Sequence, residues 1–429
     1  MEEKLQEWYK DHFLLSQLHF TWGMVEDPKN KELLIQYLTP TVKYLDVNMK
    51  KRCFLATNRI AQLFQRTYKY LMSNKHLLNH IGLHPELLKV DLEKQEDEFF
   101  SQITRFDFLV NDDWTKIKLC EANTATPQGL VEADLVNTYM CKKNSDRCSP
   151  NTLSKNLFRM WKDFRDKNQI SDTEIIHYTT YEWHDEDYYT AKFITENAHP
   201  NGKTKFIPIE KLIVTETGIF DTDNLPVKYL YILYPLEYLP FDQSISNNEK
   251  IGNKFLKHVS LGNIKIINPF SATIMQTKKV MPLIWKLAED TNLFSKEELS
   301  WINEYFVPTF NWNKTKSQLE ELLYLHGPKL VLKPIYGREG EGIFIITPNN
   351  IEDIWEQINH NDDWYIKQEY IIQKYSDTFK MSVETWEGNV EKKVVVGSFY
   401  INNNPCGFYL RADNEVTGSN CLLVNTSIY

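Results

Sequence analysis

No stretch of this 429-residue chain approaches 18 uninterrupted apolar residues, so no segment is expected to cross a membrane as a helix. Positive charge is in deficit: 49 lysines and arginines face 58 aspartates and glutamates, a formal net charge of −9. That balance argues against nucleic acid as a partner and suits a cationic one. The six cysteines, at 53, 120, 141, 148, 406 and 421, include no CxxC pair. Neither a cysteine metal cluster nor a disulfide framework is expected in so long a chain. The N-terminus MEEKLQEWYK has no basic start followed by an apolar run, so no signal peptide is expected and the expected location is the cytoplasm. Internal repeats and low-complexity tracts are missing as well.

What is present is ample material for a core: 42% of residues are hydrophobic, and the length suggests two or three structural units. Residues 1–100 read as helical. Leu33-Leu34, Tyr37-Leu38, Phe54-Leu55, Ile60, Leu63-Phe64, Tyr68 and Leu71 follow helical spacing, interrupted near Pro40. Such a stripe is expected to be packing.

Ile103 to Gln128, ITRFDFLVNDDWTKIKLCEANTATPQ, carries the first chemistry. Ile103 to Val110 alternates, with Arg105, Asp107 and Leu109 on one face and Phe106 and Phe108 on the other, as a half-buried strand does. Asn111-Asp112-Asp113 favours a turn and Lys116 to Cys120 a second strand, so the stretch predicts a hairpin. Counting outward from the turn places Arg105 opposite Glu121, with Asp107 diagonal to it and Asn123 two residues on. Asp107, Glu121 and Asn123 then offer three oxygens to a hard cation such as Mg²⁺, and Arg105 can hold a phosphate. A plain surface hairpin with an Arg–Glu pair accounts equally well for this stretch alone. Thr126 and Gln128 lie in the break that follows, where loop side chains reach ligands.

Further on, Glu174 to Tyr181 reads as a strand, His184 to Asp187 as an acidic loop and Tyr188 onward as a helix, one αβ unit. Glu186 and Asp187 serve either as helix-start charges or as partners for an amine. Ile264 to Ile267 is a strand, and SATIMQTKKVMPLIWKLA a helix with Lys278 and Lys279 on its first turns. Lys329 to Ile346, KLVLKPIYGREGEGIFII, reads as strand, glycine-rich turn, strand. It is therefore neither a Walker loop nor a dinucleotide fingerprint, both of which require a helix next. Gly337, Gly340 and Gly342 let backbone N–H groups approach phosphates, and Lys333 and Arg338 add charge. An ordinary flexible hairpin fits the same pattern. Trp364 to Tyr370 reads as a short strand turning polar at Lys367-Gln368-Glu369, as beside a purine. Val394 to Tyr400 and Cys406 to Arg411 read as a final hairpin.

Taken in order, RFDF…CEANTATPQGLVEAD, HDEDYYTAKF, KKVMPLIW, VLKPIYGREGEGIFI, YIKQEY and VVVGSFYINNNPCGFYLRADNEVT resemble the synthetase domain of glutathionylspermidine synthase. The likeness covers roughly residues 100–420 and implies an ATP-grasp fold. It implies that Asp107, Glu121 and Asn123 hold Mg²⁺ and that Arg105 lies on the reacting phosphate. Lys278 and Lys333 become nucleotide-phosphate lysines, and Arg338 lies in the loop over the phosphates. Lys367 and Gln368 lie in the base-proximal strand. Arg411, with Thr126 and Gln128 where the family uses serines, meets a thiol-peptide substrate, while Glu186 and Asp187 form the acidic pair of the substrate pocket. The family's bifunctional members carry an upstream amidase domain, and here only some 100 helical residues precede the core.

The expected fold is thus α+β, ATP-grasp-like, with a helical N-terminal region (1–100) and no amidase domain. A metal-binding hairpin with an αβ substrate-binding unit (101–260) and a nucleotide-binding part (261–429) follow. The expected activity is an ATP-dependent, ADP-forming carbon–nitrogen ligase that joins a small peptide-like carboxylate to an amine through an acyl phosphate. The amine is expected to be a polyamine or diamine. Positioning and charge neutralisation dominate phosphoryl transfer, which explains candidates that are Lys, Arg and oxygen ligands. A catalytically silent nucleotide-binding scaffold and a ligase of amino acids or peptides are the competing readings.

Overall fold

The computed structural model describes residues 2–27, 30–92, 98–144, 148–196, 198, 203–245, 247–360 and 363–428. Helix α1 (Glu2–Ser16) leads into β1 (Met24–Asp27), β2 (Asn30–Gln36), β3 (Leu38–Leu45) and the long helix α2 (Val47–Ser73). Asp46 starts α2 by accepting the Met49 N–H at 2.7 Å. Its buried positions, among them Cys53, Ile60, Phe64 and Leu71, recur at helical spacing and give it one core face. The chain continues through β4 (Ile103–Val110), β5 (Ile117–Asn123), β6 (Ile175–Thr179), β7 (Lys203–Phe206), β8 (Ile213–Val214), β9 (Ile219–Phe220), β10 (Tyr229–Ile232) and β11 (Lys265–Ile267). Then come β12 (Thr309–Asn311), β13 (Leu330–Pro334), β14 (Phe344–Ile346), β15 (Tyr370–Lys374), β16 (Lys380–Thr385), β17 (Gly388–Ile401), β18 (Asn404–Asp413) and β19 (Leu422–Ile428).

Three sheets position the site. The largest runs β3-β19-β18-β17-β4-β5, with β16 beside β17. β4 lies between β17 and β5, and Phe106 and Phe108 enter a core shared with α2. A four-stranded parallel sheet runs β11-β10-β6-β7. Its alternation sorts residues between two cores: Leu230 and Ile232 go to one, Ile176, Tyr178 and Tyr231 to the other. The third sheet, β12-β15-β13-β14, is antiparallel. Leu330, Leu332, Ile346 and Ile372 pack it against the helices Lys316–His326 and Ile351–His360.

Several sequence expectations change. The N-terminal region is helical in α1 and α2, but residues 24–27, 30–36 and 38–45 are extended. Leu33-Leu34 and Tyr37-Leu38 fit either period over so short a run, and β3 is fixed by parallel pairing with β19, at the far end of the chain. That same pairing makes the tail after Arg411 a central strand of the largest sheet. The lysine-bearing helix is two helices, Phe270–Gln276 and Val280–Asp290, with Lys278 in the break between them. Trp364 to Glu369 forms turns, and the strand begins only at Tyr370. Lys367 and Gln368 are therefore turn residues and not part of a strand.

Candidate active site

A cavity of about 520 Å³ opens where the three sheets approach one another. Its lining includes Arg105, Asp107, Glu121, Asn123, Thr126, Gln128, Glu186, Asp187, Lys333, Arg338, Gly340 and Arg411. Residues spread over 300 positions of sequence thus share one space. Lys278, Gly337, Gly342, Lys367 and Gln368 do not line it. Lys278 stands directly behind the wall, Lys367 is exposed, and Gln368 accepts the Tyr336 N–H at 2.9 Å.

The floor is the β4–β5 pair. Arg105 lies opposite Asn123 and Asp107 opposite Glu121, two residues away from the register expected from the turn. The pairs beside the turn, such as Phe108 with Leu119, already differ from that count by one, and an irregularity beside Asp107 that leaves Cys120 unpaired adds the second. The slip is even in size at the site, so the predicted face survives. β4 is also more buried than a half-buried strand: Arg105 is 7% exposed and Asp107 1%.

Asp107 is the electrostatic centre. Arg105 grips both its oxygens, Nε to Oδ1 at 2.7 Å and Nη2 to Oδ2 at 3.0 Å. Arg411 adds Nη2 to Oδ2 at 2.8 Å, and the Asn123 amide donates at 3.1 Å. Gly397, opposite Asp107 on β17, makes this possible: a Cβ there would stand 3.0 Å from Arg105 Cδ and 3.2 Å from Asp107 Oδ1. Both guanidiniums also flank the Tyr409 ring, at 5.3 and 5.6 Å from its centroid. Burial alone would raise the Asp107 carboxyl, but the two arginines and Asn123 outweigh it and hold it below its ordinary range.

Glu121 behaves in the same way with a different partner. Burial pushes it up, Lys278 pulls it further down, and the net shift is downward. The Lys278 Nζ lies 2.7 Å from Glu121 Oε1 and donates to the Gly337 carbonyl at 2.7 Å. Lys333 donates to Gln373 Oε1 at 2.8 Å and to the Cys120 carbonyl at 3.2 Å. Arg338 crosses the mouth, with Nη2 on Glu237 Oε1 at 2.5 Å and Nη1 on Thr126 Oγ1 at 3.0 Å.

An acidic pair lies beyond the C-terminal ends of parallel strands β6 and β10, where open sheets of this kind hold ligands. Glu186 and Asp187 sit in the first turn of the helix Asp185–Glu196. Burial, then Glu132, Asp187 and Glu339, raise the Glu186 carboxyl well above its usual range. Burial also raises Asp187, opposed by His184 and by Gln128, which donates to its Oδ1.

Two buried acids here carry no sequence signal. Glu132 sits in a π-helical turn and takes Trp22 Nε1 at 2.9 Å and Tyr37 Oη at 3.0 Å. Glu237 follows β10 in the turn Leu236–Phe241. Only its position just past an apolar strand could have suggested it.

The residues fit a hard divalent cation in type. Two carboxylates kept ionised and one amide oxygen lie on neighbouring positions of β4 and β5, and Mg²⁺ takes few protein oxygens besides phosphate and water. Among the described residues, no group of three or more His, Cys, Asp or Glu forms a metal cluster by itself.

The family described as glutathionylspermidine synthase preATP-grasp matches residues 6–429. A Haemophilus influenzae protein provisionally named an acid–amine ligase is 23% identical over 351 residues, 79% of this chain and 76% of that protein. Among solved structures, an apo glutathione synthetase-like effector from Globodera pallida superposes with a TM-score of 0.56 at 12% identity. The superposition covers 99% of this chain and 97% of that one, a likeness of fold.

Proposed function

The chain belongs to the glutathionylspermidine synthase preATP-grasp family, and from that premise we propose that it is an ATP-dependent carboxylate–amine ligase, ADP-forming and acting through an acyl phosphate. The observation that carries this reading is that cations and a raised acidic pair line one and the same cavity. Arg105, Arg411, Lys333 and Arg338 line it together with Glu186 and Asp187, and Gln128 joins the two groups by accepting from Arg105 and donating to Asp187. The cations suit the anionic partners, ATP and a peptide-like carboxylate, and the acidic pair a cationic amine, a diamine or polyamine. The name of the Haemophilus relative agrees with this class.

In this reading Arg105 and Arg411, pre-set by Asp107, present N–H donors to the carboxylate and to the phosphoryl group it attacks. Charge-assisted donors fixed before the reaction lose little in reorganisation, the usual origin of large electrostatic rate effects. Lys333 and Lys278 neutralise the nucleotide phosphates, Lys278 from behind the loop 337–342. Asp107, Glu121 and Asn123 would hold Mg²⁺, which when bound supplies charge neutralisation at the phosphates. Thr126 and Gln128 orient the acyl substrate, and Gln128 ties that wall to Asp187. Glu186 and Asp187 hold the amine's cationic groups, whose charge would let both acids ionise.

The test is ADP release by purified protein against paired panels of carboxylates and amines, with Mg²⁺ and ATP. ADP formation that requires both partners, with the coupled amide found by mass spectrometry, is expected. A protein that binds Mg·ATP but releases no ADP with any pair would be the silent scaffold.

A further inference from the structure

Arg338 is carried by the loop 337–342, in which Gly340 and Gly342 adopt φ of +78° and +68°. Such a loop samples many conformations unless something outside it fixes one. Lys278 holds the Gly337 carbonyl at one end of the loop, and the contact that fixes the Arg338 side chain comes from the parallel sheet. Glu237 is 4% exposed, in the turn that follows β10, and its Oε1 takes the Arg338 guanidinium at 2.5 Å. Thr126, just past β5, takes a second nitrogen. The Tyr238 ring lies 6.0 Å from the guanidinium carbon.

The pair is not saturated. Arg338 Nε and Glu237 Oε2 are both buried without a hydrogen-bond partner. An arginine has five N–H donors in a rigid fork. One nitrogen can stay on Glu237 while Nε turns to an incoming anion. We propose that Glu237 is a positioning residue: it holds Arg338 over the cavity before substrate arrives, so that the loop 337–342 meets the nucleotide already closed. This rests on the ligase reading for its kinetic part, but not for its structural part. Glu237 touches no substrate and acts only through Arg338.

The experiment compares wild type, Glu237→Gln, Arg338→Ala and the double variant. Amide hydrogen exchange across 337–342 without nucleotide should quicken about tenfold or more in Glu237→Gln, the usual worth of a charge-assisted hydrogen bond. Binding of Mg·ATP, followed by thermal shift, should weaken by a similar factor. ADP turnover should fall through kcat, with the amine KM unchanged. In the Arg338→Ala background, Glu237→Gln should add nothing to either effect. Unchanged exchange in Glu237→Gln, tighter nucleotide binding, or additive effects in the double variant would each overturn the assignment. Absence of ADP release from wild type would sink the ligase reading alone, because the exchange measurement still decides the role of Glu237.

Discussion

Asp107 and Glu121 face each other across β4 and β5, yet each carboxylate is committed elsewhere, Asp107 to Arg105 and Arg411, Glu121 to Lys278. Two like charges at paired positions stay ionised because three cations surround them. The Glu121→Gln variant therefore removes a charge that Lys278, 3% exposed, depends on. Glutamine keeps an acceptor for Lys278 and ends repulsion with Asp107. The stability loss should be about 1–2 kcal/mol, below the ~3–5 of a fully broken buried pair. ADP turnover should drop about a hundred- to thousandfold, the scale of one lost electrostatic stabiliser. Thermal melting and ADP release on the same preparation check both, and full turnover would return Glu121 to a structural role.

Nucleotide and divalent ion should stabilise the protein together. Either alone leaves the basic and acidic clusters half-compensated, whereas a ligand that binds only the native state raises stability by RT ln(1 + [L]/Kd). At about a hundred times Kd this is about 2.7 kcal/mol. Melting scans with ATP, with Mg²⁺, and with both should show a clear rise only for the mixture. No shift at millimolar concentrations would remove the nucleotide from this cavity.

The face of the hairpin was legible in sequence because alternation is local: Phe106 and Phe108 against Arg105 and Asp107 can be arranged in only one way. Its register was not, since the turn and one unpaired residue, Cys120, each shift the count by one and nothing in the identity of Cys120 announces a bulge. The glycine loop was legible through Gly337 to Gly342. The strand expected over Trp364 to Tyr370 was not, as its apolar residues occupy turns. Strand β3 escaped because its partner β19 lies near the other end of the chain, and pairing at that range leaves no local pattern. Glu132 and Glu237 escaped for a related reason: their burial depends on three sheets meeting.

Glu186 should make the unliganded protein more stable in mild acid than at pH 8. Burial and the nearby Glu132, Asp187 and Glu339 raise its folded-state pKa. A carboxyl with a raised folded pKa costs stability increasingly as pH rises above its unfolded value, and the cost is complete once pH exceeds the folded one. The loss is recovered as pH falls through it toward the unfolded value near 4.3. Glu186→Gln should therefore raise the melting temperature at pH 8 and flatten its rise on acidification. A diamine should stabilise wild type more than the variant. Identical pH profiles would leave Glu186 a helix-start charge.

Asp107→Asn should be the more damaging change in stability, and its pH dependence has the opposite sign. Its carboxylate serves two guanidiniums whose side chains are only 8% and 14% exposed. An asparagine amide can accept from one of them but cannot balance either charge. Breaking a buried pair in this way costs roughly 3–5 kcal/mol. For a chain of this size that corresponds to a fall in melting temperature of about 3–6 °C. Because the arginines hold the Asp107 carboxyl below its ordinary range, its contribution is fully present above the unfolded value near 3.9. It is lost as pH falls through the lower folded value. The gap between wild type and Asp107→Asn should be widest at neutral pH and close progressively below about pH 4. Urea denaturation of both proteins across that range measures it directly. A gap that stays constant into acid would mean that Asp107 acts through shape and hydrogen bonding, and the arginines would then need another counter-charge to explain how they remain in place.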